Sequence, residues 1–216
     1  MKYYNIGRTN ETEVIGFYPQ TTRAEGYNVD SIYNILPNVF PDHQPLYGLM
    51  LNPKSIDTDI LDGGILEFGM VVSHKFKILL EKFNLPPNRF YSIDVFGTEK
   101  KYYWFHYITQ IERFINFNAT ELELYKRLPP FEVEKKIYLS SYDDIVNLSR
   151  ELVVTRGKSL RYSFIQLNKS FPNYDLFEIT GAQCFTLISE RLKNEIIKER
   201  ITGIEFVEYE KIAKVE

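Results

Sequence analysis

The apolar positions of the chain change period several times, and each change marks an element. Met70-Val71-Val72 is a short apolar run that ends at Ser73. Beyond it Phe76, Leu79, Leu80 and Phe83 fall at i, i+3, i+4 and i+7, with Lys75, Lys77 and Lys82 between them. That spacing predicts a strand, a serine cap and an amphipathic helix, with Asn84 suited to the left-handed position after the helix. Arg89–Phe96 and Tyr102–Ile108 read as two strands joined by the polar, glycine-containing stretch 97–101, a hairpin. The second run alternates Tyr103, Phe105 and Tyr107 with Tyr102, Trp104 and His106, so both of its faces carry rings, as in a strand covered on both sides. Strands are also predicted near Lys2–Ile6, Leu46–Leu51, Phe131–Leu139 and Ser159–Leu167. Ser141 and Asp144 start another helix in the serine-x-x-acid manner. Residues 8–45, punctuated by Gly16, Pro19, Gly26, Pro37, Pro41 and Pro45, show little periodicity and read as a long irregular segment.

The helix-start pattern occurs twice at a constant separation of 116 residues. Ser73 and Ser189, Lys77 and Lys193, Lys82 and Lys198, and Phe90 and Phe206 correspond without a gap. Each copy gives an apolar pair, a serine, a basic amphipathic helix, a turn and an aromatic strand, which is a repeated β-α-β unit. The expected fold is α+β, with antiparallel and mixed sheets, packed amphipathic helices and two related β-α-β halves. It is read as a single domain over 1–216, with an acidic strand-and-loop segment at 1–60, a first half at 61–128 and a second at 129–216.

Composition narrows the class. The 216 residues are 44% hydrophobic and 25% charged, which excludes disordered and fibrous chains. The net charge of −3 argues against a phosphate-neutralising nucleic-acid binder. Charge is uneven: between residues 8 and 67 three basic side chains face nine acidic ones, a local −6. One cysteine, Cys184, forms no internal disulfide and reads as a small core residue. With no apolar leader pattern and no long apolar run, a soluble cytoplasmic protein without membrane contact is expected.

Candidate chemistry is thin. Asp57, Asp59 and Asp62 before Gly63-Gly64 begin like a calcium loop, but position twelve is Phe68 instead of a bidentate glutamate, so a solvated turn is expected. His43, His74 and His106 have no zinc spacing, Ser73-His74 lacks a nucleophile elbow, and Gly157-Lys158-Ser159 lacks the first glycine of a phosphate loop. Catalytic, cofactor and metal residues are therefore expected to be none. The aromatic run around Trp104 leaves open a rival class, a carbohydrate- or nucleotide-binding module or an enzyme with a carboxylate base.

The two segments Val71-Val-Ser-His-Lys-Phe-Lys and Leu187-Ile-Ser-Glu-Arg-Leu-Lys, the second followed by Ile201-Thr-Gly-Ile-Glu-Phe, together with Tyr102-Tyr103, resemble a bacterial family over about residues 60–210. It is the immunity proteins of polymorphic toxin systems, in the group first catalogued as a domain of unknown function and typified by a myxobacterial member. The chain departs from that pattern at 84–88 and in its N-terminal segment. The resemblance implies a non-enzymatic inhibitor that captures a cognate secreted toxin, and it carries over no catalytic residue. Acidic surface suits capture of a basic partner. Glu11, Glu13, Asp57, Asp59 and Asp62, with Tyr102 and Trp104, are the expected partner-binding residues.

Overall fold

A computed structural model describes residues 2–27, 32, 34–64, 66–155 and 157–215. The fold is α+β, with 19% helix and 36% strand. The chain divides into two compact units: an N-unit of Ile6–Thr109 with Arg191–Phe206, and a C-unit of Met1–Asn5, Gln110–Glu190 and Val207–Glu216. This partition does not follow the expected halves at 61–128 and 129–216. It cuts through the first strand, β1 (Tyr3–Arg8), because strand pairing joins residues from opposite ends of the sequence.

The N-unit holds the short helix α1 (Thr12–Ile15) and strands β2 (Thr21–Arg23), β3 (Gly48–Leu51), β4 (Ile60–Leu61) and β5 (Met70–Ser73). Helix α2 (His74–Leu80) leads to β6 (Asn88–Phe96) and β7 (Tyr102–Tyr107). These strands form one sheet in the order β2-β3-β6-β7-β5-β4. The hairpin β6–β7 is antiparallel with Tyr91 opposite Trp104, and β5 pairs antiparallel with the other edge of β7, with Val71 opposite Trp104. The aromatic strand is thus internal and covered on both faces, as its alternation predicts, with Tyr102, Trp104, Phe105 and His106 all at most 1% exposed. Ser73 caps α2 by accepting from the Phe76 amide at 3.2 Å, and Phe76, Leu79 and Leu80 turn inward. Asn84 does not take the left-handed conformation; Arg200, its partner 116 residues on, does, with φ 51°.

In the C-unit β8 (Glu121–Lys126), β9 (Val133–Ile137), helix α3 (Tyr142–Thr155) and β10 (Lys158–Leu167) are followed by β11 (Leu176–Ile179) and β12 (Phe185–Ser189). Helix α4 (Glu190–Lys198), which belongs to the N-unit after its first residue, β13 (Ile204–Tyr209), divided between the units after Phe206, and β14 (Ile212–Lys214) complete the chain. The sheet orders are β14-β10-β8-β9 and β11-β12-β1-β13. Helix α3 buries Ile145 and Leu152 in the core that includes Leu122, Leu160, Ile165 and Phe177.

The repeat is built into the hydrogen bonding of each unit. In the N-unit Ser73 Oγ donates to Asp59 at 2.7 Å and Ser73 N to the Asp59 carbonyl at 2.8 Å. In the C-unit Ser189 makes the same two bonds to Asp175, at 2.6 and 2.9 Å. Asn52 and Asn168 each accept a backbone amide two residues on, at 3.0 and 3.1 Å. β3 runs parallel to β6 as β10 runs parallel to β14. The place that β7 holds beside β5 and β6 is held in the C-unit by β1. His74 N donates to Lys101 O at 2.8 Å and Glu190 N to Lys2 O at 3.1 Å, which aligns Lys101-Tyr102-Tyr103 with Lys2-Tyr3-Tyr4.

Candidate partner-binding surface

The exposed part of the acidic segment is organised by a few fixed points in the N-unit. Ile15 is 1% exposed and anchors α1, and its carbonyl accepts from the Ile56 amide at 2.8 Å. Gly16 has φ 77°, and a Cβ there would lie 2.5 Å from the Lys54 carbonyl, so only glycine allows the 16–18 and 54–56 segments to approach this closely. Ser55 Oγ donates to Phe17 O at 3.0 Å, and Gln20 Nε2 to Ile56 O at 2.9 Å. The result is a fixed surface on which Phe17, Tyr18 and Ile56 are 39%, 58% and 49% exposed. Lys54 Nζ lies 5.9 Å from the centre of the Phe17 ring. Glu11, at the N-cap of α1, and Glu13, in its first turn, are exposed.

The other expected partner residues divide sharply. Asp57 is half-buried. Burial pushes its carboxyl up, but hydrogen bonds from Thr98 and Lys100 and the Lys100 charge outweigh that and hold it below the usual carboxylate range. Its ion pair with Lys100 at 3.0 Å leaves little charge to offer a partner.

Asp59 and Asp62 are 5% and 7% exposed, which corrects both their assignment to a capture face and the solvated turn. Asp59 accepts from Ser73 Oγ on one oxygen and from Thr202 N (2.9 Å) and Thr202 Oγ1 (3.1 Å) on the other. Asp62 Oδ1 accepts from the Thr21 amide at 2.8 Å and from the Thr21 hydroxyl. These carboxylates are buried because their acceptor capacity is filled inside the protein. Gly203 completes the Asp59 clasp: a Cβ there would meet Thr58 Oγ1 at 2.6 Å.

Tyr102 and Trp104 are each 1% exposed, a second correction. Tyr102 Oη donates to Thr58 O at 2.7 Å, and burial together with the Asp57 and Asp59 charges raises its hydroxyl far above the ordinary tyrosine value. Trp104 Nε1 donates to Phe68 O at 3.0 Å, and its ring stacks on His106 at 5.1 Å. Neither ring has a face free for a ligand. A shallow groove of about 440 Å³ follows the ends of β6 and β7 past Ser92, Asp94, Phe96, Lys101 and Tyr103.

In the C-unit Cys184 is exposed and not a core residue. Its Sγ donates to Glu178 at 3.1 Å; local desolvation and then the Glu178 carboxylate push the thiol up to about 12. Burial raises the Glu178 carboxyl as well. A thiol held protonated is a poor nucleophile. Among the described residues no group of three or more His, Cys, Asp or Glu side chains is placed to hold a metal ion, and no helix is long and apolar enough to cross a membrane.

Sequence reasoning missed Phe17, Tyr18 and Ile56, which lie in a stretch without periodicity and so give no signal of exposure. It also missed the Asp59–Asp175 and Lys2–Lys101 correspondences, which were visible as identities outside the helix-start window. No protein-family model matches the chain, and no curated protein matches it.

Proposed function

We propose that this chain is an immunity protein that acts in the cytoplasm, where it binds a cognate secreted bacterial toxin and neutralises it. The observation that carries the reading is the fixed apolar surface of Phe17, Tyr18 and Ile56 together with the exposed Glu11 and Glu13. A backbone already fixed by hydrogen bonds loses little entropy on binding, and exposed aromatic and apolar side chains beside charged ones are the composition of a protein-protein interface. Glu11 and Glu13 suit a basic toxin domain, for which opposite charge raises the association rate. The resemblance over residues 60–210 supports the same reading. Burial of Tyr102 and Trp104 weighs against a sugar or base platform on the aromatic strand.

The experiment is co-expression, in a sensitive bacterium, with the product of any toxic gene that adjoins this one, scored for survival and co-purification. Rescue with a stable complex is expected. Killing that continues unchanged, with no complex, would overturn the proposal.

A further inference from the structure

In the N-unit, residues 34–45 contain no helix or strand and are tied to the sheet by side-chain hydrogen bonds that run in both directions. Arg89 Nη1 donates to Pro41 O at 3.0 Å, Gln44 Nε2 reaches Ser92 O at 2.8 Å, and His106 Nε2 lies 3.0 Å from Pro37 O. A carbonyl only accepts, so His106 carries its proton on Nε2. Among the described residues, Nδ1 is buried without a hydrogen-bond partner. The imidazole is fully buried between the rings of Trp104 (5.1 Å), Phe68 (4.8 Å) and Phe40 (5.0 Å), and Phe40 belongs to the covering segment. Among the described residues, Arg89, whose guanidinium lies 5.1 Å from the Phe40 ring centre, is the charged group that acts on His106. The ionisable side chains next to the other cage members, Asp42 and His43 on the segment and Glu67 before Phe68, are exposed.

We propose that residues 34–45 form a pH-operated strap over the aromatic strand, closed while His106 is neutral and released when His106 takes a second proton. Protonation places an N–H at Nδ1 where the described residues offer no acceptor, in a cage of rings and near a fixed positive charge. The strap loses its Pro37 and Phe40 contacts when it leaves, and the imidazolium reaches water. Burial lowers the affinity of the closed state for that proton, the Pro37 bond opposes this, and the Arg89 charge adds to the lowering. The released histidine returns toward 6.5. Opening therefore takes up a proton in the window between that value and the lower one of the closed state. Across it the open population rises as pH falls, by about tenfold per pH unit. This device is independent of the toxin-binding reading, since Phe17, Tyr18 and Ile56 take no part in it.

The test is amide hydrogen exchange of the full chain between about pH 7.5 and about pH 5, corrected for intrinsic exchange, comparing peptides from 34–45 with those from β6 and β7. The expected result is an opening constant for the strap that climbs about tenfold per pH unit below 6.5 while β6 and β7 stay protected. In His106→Phe the strap is expected to be flat across the range. If that variant does not fold, the imidazole nitrogen shifts of the unsubstituted chain give the second reading: His106 should titrate below 6.5, in step with strap opening. A strap constant independent of pH, a His106 midpoint at or above 6.5, or strap and β6–β7 protection lost together would each overturn the proposal.

Discussion

The N-unit and the C-unit use one strand arrangement and close it by different means. In the N-unit the position beside β5 and β6 is filled by β7, the next strand in the chain and hairpin partner of β6. In the C-unit the equivalent position beside β12 and β13 is filled by β1, from the other end of the sequence. A hairpin sets its own register through its turn, whereas a strand that arrives from far away is fixed only by its side chains. That accounts for the Lys-Tyr-Tyr wording at both places: Tyr3 is 4% exposed and meets Phe177 edge-on at 5.2 Å, while Tyr102 is 1% exposed and bonds to Thr58. The units also differ in what covers the sheet. The C-unit uses α3, which satisfies its own backbone, whereas the N-unit uses irregular chain tied down by His106 and Arg89 of the sheet and by its own Gln44.

The largest expected effect comes from removing the two equivalent tyrosines. Tyr3→Ala and Tyr102→Ala should each cost roughly 3–5 kcal/mol, the first raising amide exchange in β12 and the second in β5 and β6. Effects that do not follow this division would break the equivalence of β1 and β7. Next come the carboxylate clasps. Asp59→Asn and Asp175→Asn should each lose about 1–3 kcal/mol, read from denaturant midpoints, because a buried serine hydroxyl loses a charged acceptor. A neutral result at one position only would mean that the clasp is structural in one unit and idle in the other.

The smallest effects separate the two units by pH. His106 has a lowered value in the folded N-unit, so unfolding takes up a proton. The N-unit should therefore lose stability as pH falls from 6.5 toward that lower value. Glu178 in the C-unit is raised above 4.5 by burial, which its Cys184 hydrogen bond only partly opposes. Its favourable contribution is complete below 4.5 and lost as pH rises through the raised value, the opposite slope. Glu178→Gln should abolish that slope in exchange measurements on the C-unit and leave the N-unit unchanged.

Local grammar made much of the fold legible. The spacing of Phe76, Leu79 and Leu80 placed α2, the glycine-containing stretch 97–101 placed the hairpin, and the double ring pattern of β7 announced a strand covered on both faces. Long-range pairing was not legible. The first strand was expected near Lys2–Ile6, but nothing in its wording says that it completes a sheet with β12, which is why the units are not consecutive. The acidic site was half legible for a related reason. Glu11 and Glu13 are exposed as expected, but Asp59 looks the same in sequence and is buried, since its partner Thr202 is 143 positions away. Tyr102 and Trp104 could be placed on a strand but not ranked by exposure, since both faces of that strand carry rings.

In the proposed function, the surface of Glu11, Glu13, Phe17 and Tyr18 captures the toxin. The most direct test is survival of toxin-producing cells that carry either the unsubstituted chain or a variant with Glu11→Lys, Glu13→Lys, Phe17→Ser and Tyr18→Ser, all at exposed positions, once circular dichroism has shown the two folds to be the same. The unsubstituted chain should protect, and the variant should not. Equal protection by both would contradict that role for the surface.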